Sequence, residues 1–147
     1  MTRAALLILV AACAAETADV PAVGDYRQWK QIDTYGHAPG HGDTYRIIYV
    51  NDIAEKYNMP PPPHPEFGYA EGAVFVKEVY NRESDGGPGS LRVIELMRRI
   101  GSSTGDQIGW VFTAASTSGG PETVQDFCWR RCHLSAPFDG AWFDYSK

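Results

Sequence analysis

The chain has 147 residues, 44% apolar and 21% charged, with a formal net charge of −5. That balance suits one globular domain and excludes both a disordered chain and a binder of phosphate backbones. Nucleic acid is therefore not an expected partner, while an aromatic content of 12% is enough to line a core or a cofactor pocket.

In chain order, Met1-Thr2-Arg3 and the apolar run Ala4 to Ala12 have the shape of a short secretory leader, too short to span a bilayer. Val10-Ala11-Ala12-Cys13 resembles a bacterial lipobox, in which the cysteine becomes the lipid-modified first residue of the mature chain, so residues 1–13 are expected to be a signal peptide or lipoprotein leader, and Cys13 is a candidate lipid anchor. Loss of Arg3 takes the charge from −5 to −6. The expected location is the periplasm, free or held at the membrane. The folded domain is then expected over 25–147. Asp25 to Ile32 places Tyr26 and Trp29 at helical spacing and predicts a short helix. Tyr35 to Asp43, with Gly36, Pro39, Gly40 and Gly42, predicts a surface loop.

Tyr45 to Val50 is an apolar, β-branched and aromatic run that predicts a strand. Asn51 then stands where a helix cap belongs, before Asp52 and Glu55, in a helix that should end near Asn58 ahead of Pro60 to Pro63. Ala73 to Tyr80 predicts a second strand with Ala73, Phe75, Lys77 and Val79 on one face. Glycine-rich turns at 85–89 and near Gly105 separate it from Leu91 to Arg99 and from Gly109 to Ala114, as hairpin-linked antiparallel strands require. Pro121 to Phe127 is expected to open a C-terminal helix, and Trp142 to Tyr145 to return as a last strand. The fold class is α+β and β-rich: an antiparallel sheet with a few short helices and a C-terminal helix that carries the cysteines.

That helix would hold Phe127-Cys-Trp-Arg-Arg-Cys-His133, two thiols followed at once by an imidazole. Covalent haem attachment uses this set: each thiol adds across one vinyl group, and the histidine is held under the iron as its axial ligand. Cys128 and Cys132 are thus candidate haem-binding residues and His133 the candidate iron ligand. The spacer has three residues where two are usual, which turns Cys128 about 100° round a helix, so the segment must bulge or unwind. Two other readings stay open. Export favours a Cys128–Cys132 disulfide in a haemless structural domain, although so short a helical loop would strain the bond. Zinc would find only three ligands in this stretch, with His37, His41 and His64 in loops.

The order of segments resembles the cytochrome P-460 family. Tyr26-Arg-Gln-Trp29, Arg46 to Asn51, Glu71 to Glu78, Gly109-Trp110, Cys128 to His133 and Asp139 carry the resemblance, which covers roughly 25–145. It implies a mainly antiparallel dimer with a five-coordinate haem c. One branch of that family cross-links a lysine to the porphyrin and oxidises hydroxylamine; the other, cytochrome c′-beta, leaves the lysine free and binds nitric oxide or carbon monoxide. Lys77 falls on the lysine position and is a candidate for both cofactor binding and catalysis. An amine buried among apolar side chains gives up its charge more readily and becomes a nucleophile, whereas a lysine on an outward face would simply be solvated. Phe67, Phe75 and Phe112 are candidates for an apolar cap over the iron, or for ordinary core. Glu122, upstream of the cysteines, is a candidate proton acceptor or else a helix N-terminal charge. Met97 could act as a sixth ligand, but core packing is its simpler use. With no distal base apparent, nitric oxide binding or redox is favoured over hydroxylamine turnover, and the electron-transfer partner is not identified.

Overall fold

Both faces of the strand Val74–Arg82 are covered, and the molecule is layered accordingly. In the computed structural model, which describes residues 17–38, 40–56, 68–101 and 109–142, a six-stranded antiparallel sheet follows chain order. Its strands are β1 (Lys30–Ala38), β2 (Gly42–Val50), β3 (Val74–Arg82), β4 (Pro88–Arg99), β5 (Trp110–Ala115) and β6 (Thr123–Val124). Each strand pairs with its predecessor, so every connection is local. Among the described residues no helix is long and apolar enough to cross a membrane.

Strand register sorts the side chains. Ile48, Phe75, Met97 and Phe112 fall on one face, where Trp129 and Tyr69 cover them. Tyr49, Val76, Leu96 and Ile94 fall on the other and pack with Tyr26. Burying a side chain the size of Phe75 or Ile94 contributes about 2 kcal/mol, so the two layers together hold the sheet. On the second face Glu78 is buried and accepts hydrogen bonds from the hydroxyls of Tyr26 and Tyr80, each at 2.6 Å, and from Arg27 Nη2 at 2.6 Å.

The expected strands at 45–50, 73–80, 91–99 and 109–114 are present as β2 to β5. Asn51 caps the short helix α1 (Asp52–Glu55): its Oδ1 accepts from Ala54 N at 3.0 Å and from Val74 N at 3.1 Å, tying the helix to β3. Three expectations are corrected. Instead of a helix over 25–32 there is a single 3₁₀ turn, Tyr26–Gln28, and then β1. Ile32, Thr34, Gly36 and Ala38 alternate inward in register with β2, and that nine-residue pairing outweighs the local helical spacing. The loop expected at 35–43 is accordingly strand as far as Ala38, with His37 paired to Asp43, and again from Gly42, and only the turn between them is the tip of the β1–β2 hairpin. At the other end, Thr123 pairs with Ala114, so the chain stays extended past Pro121 and the helix α2 (Asp126–Arg131) is only six residues long. It ends before Cys132, so the cysteine segment is part helix and part turn. The turn near Gly105, the end of the helix near Asn58 and the last strand beyond Trp142 lie outside the described residues.

Candidate functional site

Asp126 supplies the acidic charge that suits the first turn of α2, and Trp129 anchors the helix by burying against Phe112, ring centroids 6.1 Å apart. With Trp129 inward, Cys128 is half-buried against the first face of the sheet and Phe127 stays exposed. The backbone leaves the helix at Cys132 (φ −132°, ψ −55°), whose N–H still donates to the Cys128 carbonyl at 3.3 Å, and His133–Ser135 form a 3₁₀ turn. The helix therefore unwinds at Cys132, between Cys128 and His133. Both sulfurs are free thiols.

His133 is oriented from below. Its Nδ1 lies 2.6 Å from the Gly140 carbonyl, which can only accept, so Nδ1 carries the proton and Nε2 keeps its lone pair. Burial pushes the imidazole pKa below its usual value, favouring the neutral ring a metal needs. Phe112 packs beside it, ring centroids 4.7 Å apart. The turn that presents the carbonyl is tight. Asp139 has φ +48° and accepts from Tyr69 N at 2.8 Å; Gly140 has φ +87°, and a Cβ there would meet Trp129 at 3.0 Å and Trp110 at 3.2 Å. Only glycine fits that slot without strain.

Cys128, Cys132 and His133 line one cleft of about 300 Å³, walled on the sheet side by Ile48, Met97 and Phe112. Its polar end belongs to Lys77, Glu95 and His41. Lys77 Nζ is 2.5 Å from Glu95 Oε2 and 3.0 Å from His41 Nε2, and His41 Nδ1 faces the same carboxylate oxygen at 3.5 Å. Cross-strand pairing of Lys77 with Glu95 brings these two together, and the β1–β2 hairpin tip delivers His41. The tip also reaches the cysteines, since a Cβ on Gly40 would lie 4.0 Å from Cys132 Sγ. Burial first, and the Lys77 ammonium second, depress the His41 pKa. Burial, reinforced by Glu95, pushes the Cys128 thiol up to about 11.

Of the residues singled out from sequence, Lys77, Cys128, Cys132 and His133 meet in this cleft. Lys77 is ion-paired there rather than surrounded by apolar side chains. Met97 forms part of the wall. Phe112 lies against the His133 ring, and Phe75 is core, packed on Tyr69 and Trp110 with centroids 5.0 and 6.0 Å away. Glu122 is elsewhere: it accepts two 2.7 Å bonds from Arg98 and one from Thr113, on the side of the sheet away from the thiols. Burial alone would raise its pKa, but those bonds outweigh it and hold Glu122 below its usual value. Phe67, His64 and Cys13 lie outside the described residues. Among the described residues, no group of three or more His, Cys, Asp or Glu is placed to hold a bare metal ion. Of the cleft's polar residues, Glu95 escaped sequence reasoning, and His41 entered it only as a loop histidine, not as part of a haem site. The visible signal for Glu95 was a carboxylate in the otherwise apolar stretch Val93 to Met97; for His41 there was none.

The donor set tests well against haem. Two free thiols, a neutral imidazole with Nε2 unoccupied by its backbone partner, and apolar walls all open on one space. In comparison with known proteins, the family model for cytochrome P-460 matches residues 23–140, a span that runs from before His41 to Gly140. No curated protein matches the chain.

Proposed function

The chain belongs to the cytochrome P-460 family, whose members carry haem iron, and on that basis we propose that it is an exported c-type cytochrome that binds small nitrogen species, nitric oxide foremost. The observation that carries the reading is the convergence of Cys128, Cys132 and His133 on one apolar-walled cleft. Bound haem would supply an iron with an open axial position, able to take a nitrogen ligand and to exchange electrons. Cys128 and Cys132 would hold it by adding their S–H groups across its two vinyl groups, and His133 Nε2 would be the axial ligand.

The chain's own residues account for the rest. Gly140 fixes the imidazole and, by accepting from Nδ1–H, makes Nε2 a better donor. Ile48, Met97 and Phe112 keep water from one side of the cleft, which favours neutral diatomic ligands over anions. The alternative, hydroxylamine oxidation with Lys77 bonded to the porphyrin, needs an amine free to react, and Lys77 is engaged by Glu95 and His41. Secretion to the periplasm, a lipid on Cys13, a homodimer and an electron partner belong to the same proposal; the leader-like sequence of residues 1–13 supports the first two and the family resemblance the dimer.

The experiment is to export the chain from cells that attach haem c, reduce it and titrate it with nitric oxide, watching the Soret band. A saturable one-to-one spectral change, with negligible hydroxylamine turnover to an artificial acceptor, is expected. Rapid turnover and no nitric oxide complex would favour the enzyme instead.

A further inference from the structure

Lys77 reaches the haem cleft on β3, yet its amine is not loose there. Glu95 takes one N–H at 2.5 Å and His41 Nε2 a second at 3.0 Å, and the side chain is only 19% exposed. Glu95 comes from the neighbouring strand in direct register, whereas His41 comes from the β1–β2 hairpin tip, 36 residues upstream. Two independent elements thus converge on one nitrogen. His41 Nε2 can serve as the acceptor because burial, with the Lys77 and Arg46 cations, outweighs the pull of Glu95 and holds the ring's pKa below its usual value.

We propose that His41 and Glu95 are positioning residues that keep Lys77 a hydrogen-bonded donor at the edge of the haem and prevent it from bonding to the porphyrin. The inference rests on the haem reading above. Joining Nζ to a porphyrin carbon would break one N–H and one C–H bond, form one C–N bond and release two protons and two electrons; a peroxide would take these up and leave as water. Such a step requires the nitrogen lone pair to face the ring. In this chain the amine is turned to Glu95 and His41, and both contacts must break before the nitrogen can turn to a ring carbon.

Two measurements decide the matter. Haem-loaded protein is treated with hydrogen peroxide, digested with trypsin and mapped by mass spectrometry. In the native chain the peptide containing Lys77 is expected free of haem, and in the His41→Phe/Glu95→Gln variant joined to it, with a red-shifted Soret band. A joined peptide in the native chain, or a free one in the folded variant, overturns the proposal. The second measurement needs no haem: competitive acetylation of the haem-free native chain should label Lys77 on the order of ten-fold more slowly than Lys56, whose side chain is 76% exposed. Equal labelling overturns the restraint. A chain that never acquires haem contradicts the proposed function but leaves this labelling result standing as the test of the Lys77 contacts.

Discussion

The carbonyl of Gly140 stands 2.6 Å from Nδ1 of His133, so a turn seven residues downstream decides which imidazole nitrogen is left to bind. The turn is held by Asp139, itself anchored to the Tyr69 N–H, and is wedged between Trp110 and Trp129. The orientation of the imidazole is therefore built into the core.

Gly140→Ala should be costly for two reasons that act together, a positive φ and a Cβ pressed 3.0 Å from the Trp129 ring. We expect a loss of about 2 kcal/mol in the unfolding free energy of the haem-free protein. Urea denaturation followed by tryptophan fluorescence checks it; an unchanged midpoint would show that the turn relaxes freely.

Cys128 should be a sluggish nucleophile in the folded, haem-free protein. Its pKa, pushed up to about 11 from an ordinary 9.0, leaves about 100-fold less thiolate near neutral pH. Iodoacetamide at pH 8 is expected to modify Cys128 slowly in the native state and at the normal rate in denaturant, read by peptide mass. Fast native labelling would place the thiol in water rather than against the sheet.

Glu78 ties the turn at Tyr26–Gln28 to β3. Burial raises its pKa, but the bonds from Tyr26, Tyr80 and Arg27 win and hold it below the usual value of 4.5. A carboxyl depressed in the folded state contributes stability above its unfolded pKa and loses it as pH falls through the folded one. Unfolding free energy should thus drop below about pH 4.5, with Glu122 adding to the fall. Glu78→Gln is expected to cost about 2 kcal/mol at pH 7, less than a wholly buried pair because Arg27 is half exposed, and to flatten the acid limb. An acid limb of undiminished slope in the variant would assign the effect to other groups.

His41 predicts a second, milder step. Its folded pKa is lowered, so protonation favours the unfolded chain, and stability present above pH 6.5 is lost as pH falls through the folded value. Lys77 and Arg46 oppose the charge, Glu95 favours it, and His133 also opposes it. His41→Gln should reduce the loss between pH 6.5 and 5 in denaturation midpoints of the haem-free protein. A larger loss in the variant would reverse the sign and count against a buried neutral imidazole.

What could be read from sequence follows from where the apolar residues stand. β2 to β5 advertise themselves because both faces carry large side chains, as in Phe75 beside Val76 and Ile94 near Met97. β1 does not: of its inward positions only Ile32 is a large apolar residue, so its strand character comes from pairing with β2. The Cys128 to His133 segment was legible because its chemistry is contiguous. The Lys77–Glu95 contact was not, since its register depends on irregularities between Val79 and Arg82. His41 required knowing that the hairpin tip folds over the cleft. Glu122 was misplaced for the same kind of reason: pairing of Thr123 with Ala114 keeps that stretch extended and turns its carboxylate to Arg98.

On the proposed function, two thiols with three residues between them and the imidazole that follows them hold a porphyrin. Intact mass of the chain exported from haem-attaching cells, recorded after acid denaturation, tests it most directly. A polypeptide heavier by one haem is expected, with Cys128→Ala and Cys132→Ala each keeping a single bond and the double variant losing the haem on denaturation. A native chain that runs at the bare polypeptide mass, or two units lighter through a Cys128–Cys132 disulfide, would contradict it.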